Sequence, residues 1–249
     1  MRELIENRFE KFLVDLETIV NIDSGSRYVP GLEAVSAFFQ KRFQKIGWTT
    51  TDYSFDDGKV PCLEAANKPL SGNDSALDLL FIGHMDTVFG QGTAAARPFS
   101  RDEKRAYGPG VSDMKGGLVT MLHIAELLQQ TAVAKDITIA MAFNSDEEIG
   151  SRGSRPWYEG LATQSRCVFV FEPWRSTGER ILQRKGGGNF DVICHGKAAH
   201  AGAAPEDGAN AVIELAHQIL AVKELARGDH GTTVNVTVIS GGTADNVIP

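Results

Sequence analysis

The chain has 249 residues, of which 42% are hydrophobic, and a formal net charge of −7 from 25 Lys and Arg against 32 Asp and Glu. This length suits one large or two modest domains, and the acidic balance argues against nucleic acid or an anionic membrane as a partner, because both bind clustered basic residues. The charged N-terminus and the strand-sized apolar runs resemble neither a signal peptide nor a membrane span, so we expect a cytoplasmic protein.

Helices and strands alternate through the first two thirds of the sequence. Apolar residues recur at intervals of three and four over 2–21 and 32–46, which predicts two amphipathic helices. The elements predicted after them are, in chain order, strands 49–55, 60–66 and 77–83, helix 114–130, strand 137–143, helix 152–160 and strand 167–171. Strand 77–83 is nearly all apolar, which is typical of a central strand covered on both faces. The alternation predicts an α/β layered sheet.

After about residue 180 the pattern changes. Segments 188–196 and 232–240 alternate apolar and polar residues, which predicts two strands, and 207–226 predicts an amphipathic helix between them. This β-α-β unit is interpreted as the start of a second domain. Residues 246–249 follow a Gly-Gly turn and leave the last strand without a closing partner, so we expect the fold to be incomplete at its C-terminus.

The three cysteines, Cys62, Cys167 and Cys194, are far apart in sequence, and each lies in an apolar, strand-like segment. The sequence contains no C-x-x-C pair, which is the spacing typical of metal or redox sites. We therefore expect buried, reduced thiols with a structural role.

Acidic and histidine residues occur where the predicted strands end. Each of them follows an apolar strand, except one that lies in a glycine-rich loop before a helix. In chain order they are His84, Asp86, Asp113, Glu147, Glu148 and Glu172. Because functional sites of α/β sheets form at the carboxyl ends of the strands, we expect these side chains to converge on one edge of the sheet.

Several carboxylates cannot share one edge without compensation, because like charges a few ångströms apart raise each other's pKa and force protonation. A divalent cation resolves the conflict, and one imidazole with several carboxylates suits Zn²⁺, Mn²⁺ or Co²⁺. The number of carboxylates exceeds what one tetrahedral ion uses, which favours a two-metal site with a bridging carboxylate. Each fragment alone is also compatible with a surface pair or a helix N-cap, so the interpretation depends on their joint occurrence.

His200 lies in a run of very small residues, 196–202, which lets a backbone or a substrate approach closely. From the residues alone, a functional and a structural role for His200 are equally open. The other histidines have no comparable cluster of carboxylates nearby in sequence and are interpreted as structural or surface residues: His123, His195, His217 and His230.

Together these segments resemble the dinuclear zinc exopeptidases, the family that includes glutamate carboxypeptidase, aminoacylase, acetylornithine deacetylase and succinyl-diaminopimelate desuccinylase. The matching segments are Gly83-His84-Met85-Asp86-Thr87, Gly108 to Gly117, Asn144 to Gly150, Phe171-Glu172-Pro173, Gly196 to Pro205, and Gly241-Gly242 with Asn246-Val247-Ile248-Pro249. The segments around His84 and His200 are most similar to the glutamate carboxypeptidase branch.

The resemblance implies a site for two zinc ions, with cobalt or manganese as possible substitutes. His84 and Glu172 would each bind one metal together with a bridging Asp113, and Glu148 would complete the metal opposite His84. The resemblance also implies a cis peptide bond between Asp113 and Met114.

The same resemblance implies roles in catalysis and substrate binding. Asp86 would orient His84 through its second ring nitrogen, and Glu147 would be the general base. His200 would reach the active site of a partner protomer and donate to the oxyanion. Arg180 and Asn246 would contact the substrate.

The fold implied by the resemblance is a zinc-exopeptidase-like α/β/α catalytic domain with an inserted ferredoxin-like lid that pairs two protomers. Here the catalytic part would span 1–183, and the first β-α-β of the lid, C-terminally truncated, would span 184–249. The expected assembly is a homodimer formed through the lid.

The expected activity is hydrolysis of a peptide or amide bond next to a free C-terminal carboxylate, in small peptides or N-acyl amino acids. Substrates whose hydrolysis releases glutamate are among those expected. The alternative enzyme is an N-acyl amino acid deacylase such as acetylornithine deacetylase. The alternative of another class is a noncatalytic metal-binding or dimerising module.

Overall fold

The structure is a computed structural model that describes residues 2–70, 76–131, 133–174, 178–179 and 185–249. The chain divides into two compact units, Met1–Ile181 and Leu182–Pro249. The assignment of regions 1–183 and 184–249 to a catalytic and a lid domain stays a prediction.

The first unit carries helices before and between the strands of its main sheet. Its helices are α1 (Arg2–Glu6), α2 (Phe9–Val20), α3 (Val29–Lys45), α4 (Thr93–Ala96), α5 (Gly116–Gln129), α6 (Val133–Asp136) and α7 (Arg155–Thr163). Its strands are β1 (Thr49–Phe55), β2 (Val60–Ala66), β3 (Leu77–His84), β4 (Ser100–Arg101), β5 (Ala106–Tyr107), β6 (Ile139–Asn144) and β7 (Ser165–Val170).

Five strands form one sheet in the order β1-β2-β6-β3-β7, and β4 and β5 form a separate hairpin. The β1–β2 and β2–β6 pairs are antiparallel, whereas β3 is parallel to both β6 and β7. Strand β3 therefore lies inside the sheet, as its continuous apolar sequence predicts. The parallel part of the sheet brings the carboxyl ends of β6, β3 and β7 to the same edge.

Helices cover both faces of the sheet. On one face, α2, α3 and α5 enclose the larger core, in which Phe39 stacks on Phe143 with ring centroids 5.0 Å apart. On the other face, α7 packs Trp157 and Leu161 against Leu80 of β3. The layers are thus α/β/α, and the predicted α/β class is confirmed.

The predicted helix over 2–21 is wrong in one respect, because the chain turns at Asn7 and Arg8 and forms two helices. The Arg8 guanidinium pairs with Glu126 of α5, a partner 118 residues away. The apolar side chains of α1 remain exposed, Leu4 by 47% and Ile5 by 54%. Apolar spacing alone did not distinguish these exposed residues from the buried face of α2.

The three cysteines are free thiols, but the prediction that all are buried is wrong for two of them. Cys62 is buried in β2, and burial raises the pKa of its thiol to about 12, which keeps it inert. Cys167 is exposed and Cys194 is half-buried. Cys167 lies on β7, which forms an edge of the sheet and is covered less than the inner strands.

The second unit contains a helix, α8 (Ala211–Lys223), and two short strands, β8 (Ala199–His200) and β9 (Val247–Ile248), which pair antiparallel. Helix α8 confirms the centre of the predicted helix over 207–226. The predicted strands at 188–196 and 232–240 are wrong, because neither described segment forms a strand ladder. Side-chain alternation is insufficient for a strand, which also requires hydrogen-bonded partners.

None of the described helices is both long and apolar enough to cross a membrane. The cytoplasmic location stays a prediction.

Candidate metal centre

The carboxyl edge of the main sheet gathers predicted site residues from three neighbouring strands. His84 is the last residue of β3 and lies opposite Asn144, the last residue of β6. Glu147 follows β6 by three residues, and Glu172 follows β7 by two. The parallel pairing of these strands is the reason that residues far apart in sequence meet here.

The imidazole of His84 is the centre of the cluster. Its Nε2 lies 3.1 Å from Asp113 Oδ1, 3.4 Å from Glu172 Oε1 and 3.9 Å from Glu147 Oε2. One ligand atom each from His84, Asp113 and Glu172 lies within 4.8 Å of the others, which is the spacing of a group that can hold a metal ion. The His84 side chain is 1% exposed but that of Asp113 is 58% exposed, so the group is open to solvent on its acidic side.

The second ring nitrogen of His84 determines which tautomer is favoured. His84 Nδ1 lies 2.9 Å from the backbone carbonyl oxygen of Asp86 and 3.3 Å from Asp86 Oδ1. A carbonyl oxygen can only accept a hydrogen bond, so Nδ1 carries a proton and donates it. In the neutral ring, Nε2 then presents its lone pair toward Asp113 and Glu172, as a metal-binding histidine requires.

The electrostatics of the cluster favour a cation. Burial of the imidazole opposes its charged form, but hydrogen bonds and charges from Asp86 and Glu172 raise the pKa of His84 to about 11. Burial also raises the pKa of Glu147 and of Glu148, and the neighbouring carboxylates add to that shift while His84 opposes it. A group of carboxylates that raises pKa values in this way is compensated when a divalent cation binds.

Glu148 is not part of the group that the described residues form around His84. Its backbone N–H donates to Asp86 Oδ2 over 3.2 Å, which holds the residue beside the cluster. Its role as a metal ligand stays a prediction.

The loop that carries Asp113 approaches the sheet closely. The peptide bond between Asp113 and Met114 is cis, as the resemblance implies. At the start of α5, a Cβ atom on Gly117 would lie 2.2 Å from the carbonyl oxygen of Phe171, so the helix can contact this segment only with glycine there. This close approach brings Asp113 and Glu172 to the same side of His84.

Asp86 links the residues of the cluster and is fully buried. Besides its contact with His84, its carboxylate accepts hydrogen bonds from the backbone N–H groups of Glu147 and Glu148, both over 3.2 Å. Asp86 therefore positions the imidazole and the turn that carries the two glutamates. The role predicted for Asp86, to orient a metal-binding His84, stays a prediction.

The sequence interpretation missed two residues next to the cluster. Ser26 donates its hydroxyl to Asp86 Oδ2 over 2.7 Å. Lys115 is 1% exposed and donates through Nζ to the carbonyl oxygen of Ile22 over 2.7 Å. Burial lowers the pKa of Lys115 to about 8, although the negative charge of Asp23 opposes this shift. Lys115 could have been identified from the sequence because it lies in the Asp-Met-Lys-Gly-Gly segment, two residues after Asp113. No sequence pattern pointed to Ser26.

Asp146 is next to Glu147 in sequence, but its carboxylate contacts the residues that precede α7. Its carboxylate accepts from the backbone N–H groups of Gly153 and Ser154, over 2.8 and 3.3 Å, and from the Ser154 hydroxyl. It therefore stabilises the start of α7.

The second unit brings together His200 and Asn246, because β8 pairs with β9 and the backbone N–H of Ala201 donates to the Asn246 carbonyl oxygen over 2.9 Å. His200 Nδ1 accepts from the N–H groups of Gly202 and Ala203 over 3.1 and 3.0 Å. In the neutral ring the proton is then on Nε2, which can donate. Arg180 lies outside the described residues.

Comparisons with known proteins identify the family of the chain. Residues 80–245 match the family described as Peptidase family M20/M25/M40. Carboxypeptidase G2 of Pseudomonas sp. (strain RS-16) is 36% identical over 235 residues, which cover 94% of this chain and 56% of the relative. Acetylornithine deacetylase of Myxococcus xanthus is 30% identical over 248 residues, which cover 94% of this chain and 63% of the relative. The chain thus spans less than two thirds of either relative.

Among solved structures, the M20 family metallo-carboxypeptidase Sso-CP2 from Sulfolobus solfataricus is similar, with a TM-score of 0.59 and 19% sequence identity over 87% of this chain and 50% of that chain. At this identity the likeness concerns the fold alone. It agrees with the mixed α/β architecture described above.

Proposed function

The chain belongs to peptidase family M20/M25/M40, and from this premise we propose that the protein is a metal-dependent hydrolase that cleaves a peptide or amide bond next to a free C-terminal carboxylate. The observation that carries the proposal is the cluster of His84, Asp113 and Glu172 on the carboxyl edge of the sheet, with Glu147 at its rim.

The proposed cofactor is a pair of zinc ions, for which cobalt or manganese could substitute. An imidazole whose Nε2 lone pair faces nearby carboxylates is a donor set that suits these ions. His84, Asp113 and Glu172 would hold the metals, with Asp113 as the bridge and Glu148 as a further ligand. When bound, such a pair polarises the scissile carbonyl and activates a water molecule.

Glu147 is the proposed general base. Its side chain is 48% exposed, so a substrate and a water molecule can reach it, and its pKa is raised from the usual carboxyl value. A raised pKa brings a carboxylate nearer to the range in which it accepts a proton and later returns it. In the proposed reaction, Glu147 takes the proton of the attacking water and delivers it to the leaving amine, while Asp86 maintains the geometry of the Glu147 turn.

The second unit is proposed to complete the site as a lid and to pair two protomers. His200 would donate from Nε2 to the oxyanion in the partner's site, and the contacts of His200 Nδ1 support that tautomer. Asn246 would meet the substrate carboxylate. Arg180 is proposed to contact an acidic substrate side chain on sequence grounds alone.

The proposed substrates are small peptides or N-acyl amino acids. Release of a C-terminal glutamate is the favoured case because the segments around His84 and His200 resemble the glutamate carboxypeptidase branch, and a carboxypeptidase, carboxypeptidase G2, is 36% identical over most of this chain. An N-acyl amino acid deacylase is the second candidate, because acetylornithine deacetylase is 30% identical over a similar range.

The test is a substrate panel with the full-length protein. Dipeptides that end in glutamate, alanine or lysine are compared with N-acetylglutamate and N-acetylornithine, before and after a chelator removes the metals and after Zn²⁺ is restored. We expect hydrolysis that chelation abolishes and Zn²⁺ restores, fastest for the glutamate dipeptides. A preference for N-acetylornithine would support the deacylase. Metal binding without turnover of any substrate would support a noncatalytic module and contradict the proposal.

A further inference from the structure

The segment between α2 and α3, residues 22–26, lies against the loops that carry the candidate metal ligands. The backbone N–H of Thr87 donates to Ser24 O over 2.9 Å, and the N–H of Ser26 donates to Thr87 O over 3.1 Å. Between them, a Cβ atom on Gly25 would lie 2.4 Å from the carbonyl oxygen of Phe89. The segment is therefore fixed next to the residues that follow His84.

This fixed backbone directs the Ser26 side chain at Asp86. The Ser26 hydroxyl donates to Asp86 Oδ2 over 2.7 Å. The same oxygen accepts from the backbone N–H of Glu148, whereas Oδ1 accepts from that of Glu147 and lies 3.3 Å from His84 Nδ1. Rotation of the carboxylate would disturb the imidazole and the glutamate turn together, because one group contacts both.

We propose that Ser26 is a positioning residue for the hydrolytic site, acting through Asp86. Its hydroxyl fixes one orientation of the buried carboxylate, and that orientation sets both the direction of His84 Nε2 and the position of the Glu147 backbone. The inference rests on the proposed function, because it assigns Ser26 to the site that would hold the metals and the general base.

The expected loss of metal affinity and activity depends on how directly Ser26 contacts the metal-binding histidine. Groups that hydrogen-bond directly to a metal-binding histidine typically contribute about 10–100-fold to metal affinity or activity. Ser26 is one contact farther out, so we expect loss of its hydroxyl to cost about tenfold, the lower end of that range. Only the hydroxyl is required, so threonine should serve in place of serine.

Ser24 offers a matched control in the same segment. It is 1% exposed, and its Oγ has no hydrogen-bond partner among the described residues, while its backbone contact with Thr87 is independent of the side chain. Ser24→Ala thus removes a buried hydroxyl two residues away that does not contact Asp86.

The experiment compares Ser26→Ala, Ser26→Thr and Ser24→Ala in the full-length protein. Co²⁺ is titrated into the metal-free protein and followed by its visible absorption; kcat and KM are measured on the best substrate, and Tm is measured without metal. We expect Ser26→Ala to weaken Co²⁺ binding and lower kcat about tenfold, with KM changed less and a Tm like that of Ser24→Ala. Ser26→Thr should restore both quantities.

Equal Co²⁺ affinity and kcat in Ser26→Ala and Ser24→Ala would overturn the inference, as would a loss that Ser26→Thr does not restore. If the wild type binds Co²⁺ but hydrolyses none of the substrates, the proposed function fails, whereas the Co²⁺ comparison still tests the role of Ser26.

Discussion

The carboxyl edge of the main sheet and the second unit hold their candidate residues by different means. At the edge, His84 and Asp86 are 1% and 0% exposed and are fixed by a core that continues beneath them. In the second unit none of the described residues is buried, and exposed His200 is oriented by hydrogen bonds from Gly202 and Ala203 within its own turn. The first arrangement depends on long-range packing, whereas the second is local.

The two regions differ in how tightly they fix the groups proposed for catalysis. A buried carboxylate with fixed donors, such as Asp86, can hold a metal site in one geometry, because the surrounding core leaves it few alternatives. An exposed turn can present a donor such as His200 but is less constrained. The two regions therefore differ in what a substitution should cost.

The largest loss is expected at the sheet edge, in the variant Glu147→Ala. Without its proposed general base the protein should lose about 10²–10⁴-fold in kcat, while metal content should stay near the wild-type value because Glu147, unlike Glu148, is not one of the proposed metal ligands. Glu148→Ala should instead lower metal content. Exposed Glu159, which pairs with Arg155 on α7, is the control. Steady-state kinetics and metal analysis check both expectations, and near-normal turnover of Glu147→Ala would exclude the assignment.

Substitution of a phenylalanine should destabilise the first unit more than the second. Phe39 is fully buried and stacks on Phe143, so Phe39→Ala should cost about 3–5 kcal/mol in the free energy of unfolding. Phe190 in the second unit is 90% exposed, and Phe190→Ala should change that free energy by no more than about 0.5 kcal/mol. Chemical denaturation of the full-length protein measures both. A comparable cost at the two positions would show that the second unit has a packed interior in solution.

A smaller but specific effect is expected for His200. In the proposed homodimer His200 is the oxyanion donor, and loss of one such donor costs about 10²–10³-fold in kcat, so His200→Ala should be nearly inactive, as should Glu147→Ala. Mixed dimers of the two variants should recover activity, because one site then combines an intact Glu147 with the partner's intact His200. With subunit exchange verified, no recovery would mean that His200 acts within its own protomer or not at all.

The smallest effect is expected at a buried ion cluster away from the sheet edge. Asp15 pairs with Arg42 and accepts from His123 Nε2 over 2.9 Å. Burial opposes ionisation of Asp15, but the hydrogen bonds and charges of His123 and Arg42 outweigh it and lower the pKa of the carboxyl. Because the folded pKa is below the unfolded value of about 3.9, this stabilisation is present above about pH 4 and is lost as the pH falls through the folded value.

Asp15→Asn should therefore reduce the free energy of unfolding at pH 7 by about 1.5–3 kcal/mol. The difference from wild type should shrink as the pH falls below about 4, which denaturation measured at several pH values would reveal. A difference that does not change with pH would mean that the Asp15 carboxylate does not contribute through its charge.

The sequence predicted the elements of the first unit well for a physical reason. The bounds predicted for β1 and β2 are those observed, and β3 differs by one residue, because these segments combine apolar patterning with partners and a core. Segments 188–196 and 232–240 carry the same alternation, yet Phe190 and Val238 are 90% and 84% exposed, and no ladder forms there in the described residues. Alternation indicates a strand only where a partner and a buried face exist.

Part of the candidate site was visible in sequence, and the rest depends on contacts between distant residues. His84 ends one apolar strand and Glu147 follows another by three residues, so the topology rule for α/β sheets located them. The contact of Ser26 with Asp86 joins residues 60 positions apart, and that of His123 with Asp15 joins residues 108 apart. Neither pair has a local pattern, and only the packing of α2 and the following segment against the sheet and α5 brings them together.

The proposed function requires that the carboxyl edge of the main sheet hold divalent metal ions. The most direct test is anomalous X-ray diffraction at the zinc edge from crystals of the full-length protein grown with Zn²⁺. We expect a peak at bonding distance, about 2.0–2.2 Å, from His84 Nε2 and from carboxylate oxygens of Asp113 and Glu172. A fully occupied peak elsewhere, with none beside His84, would contradict it.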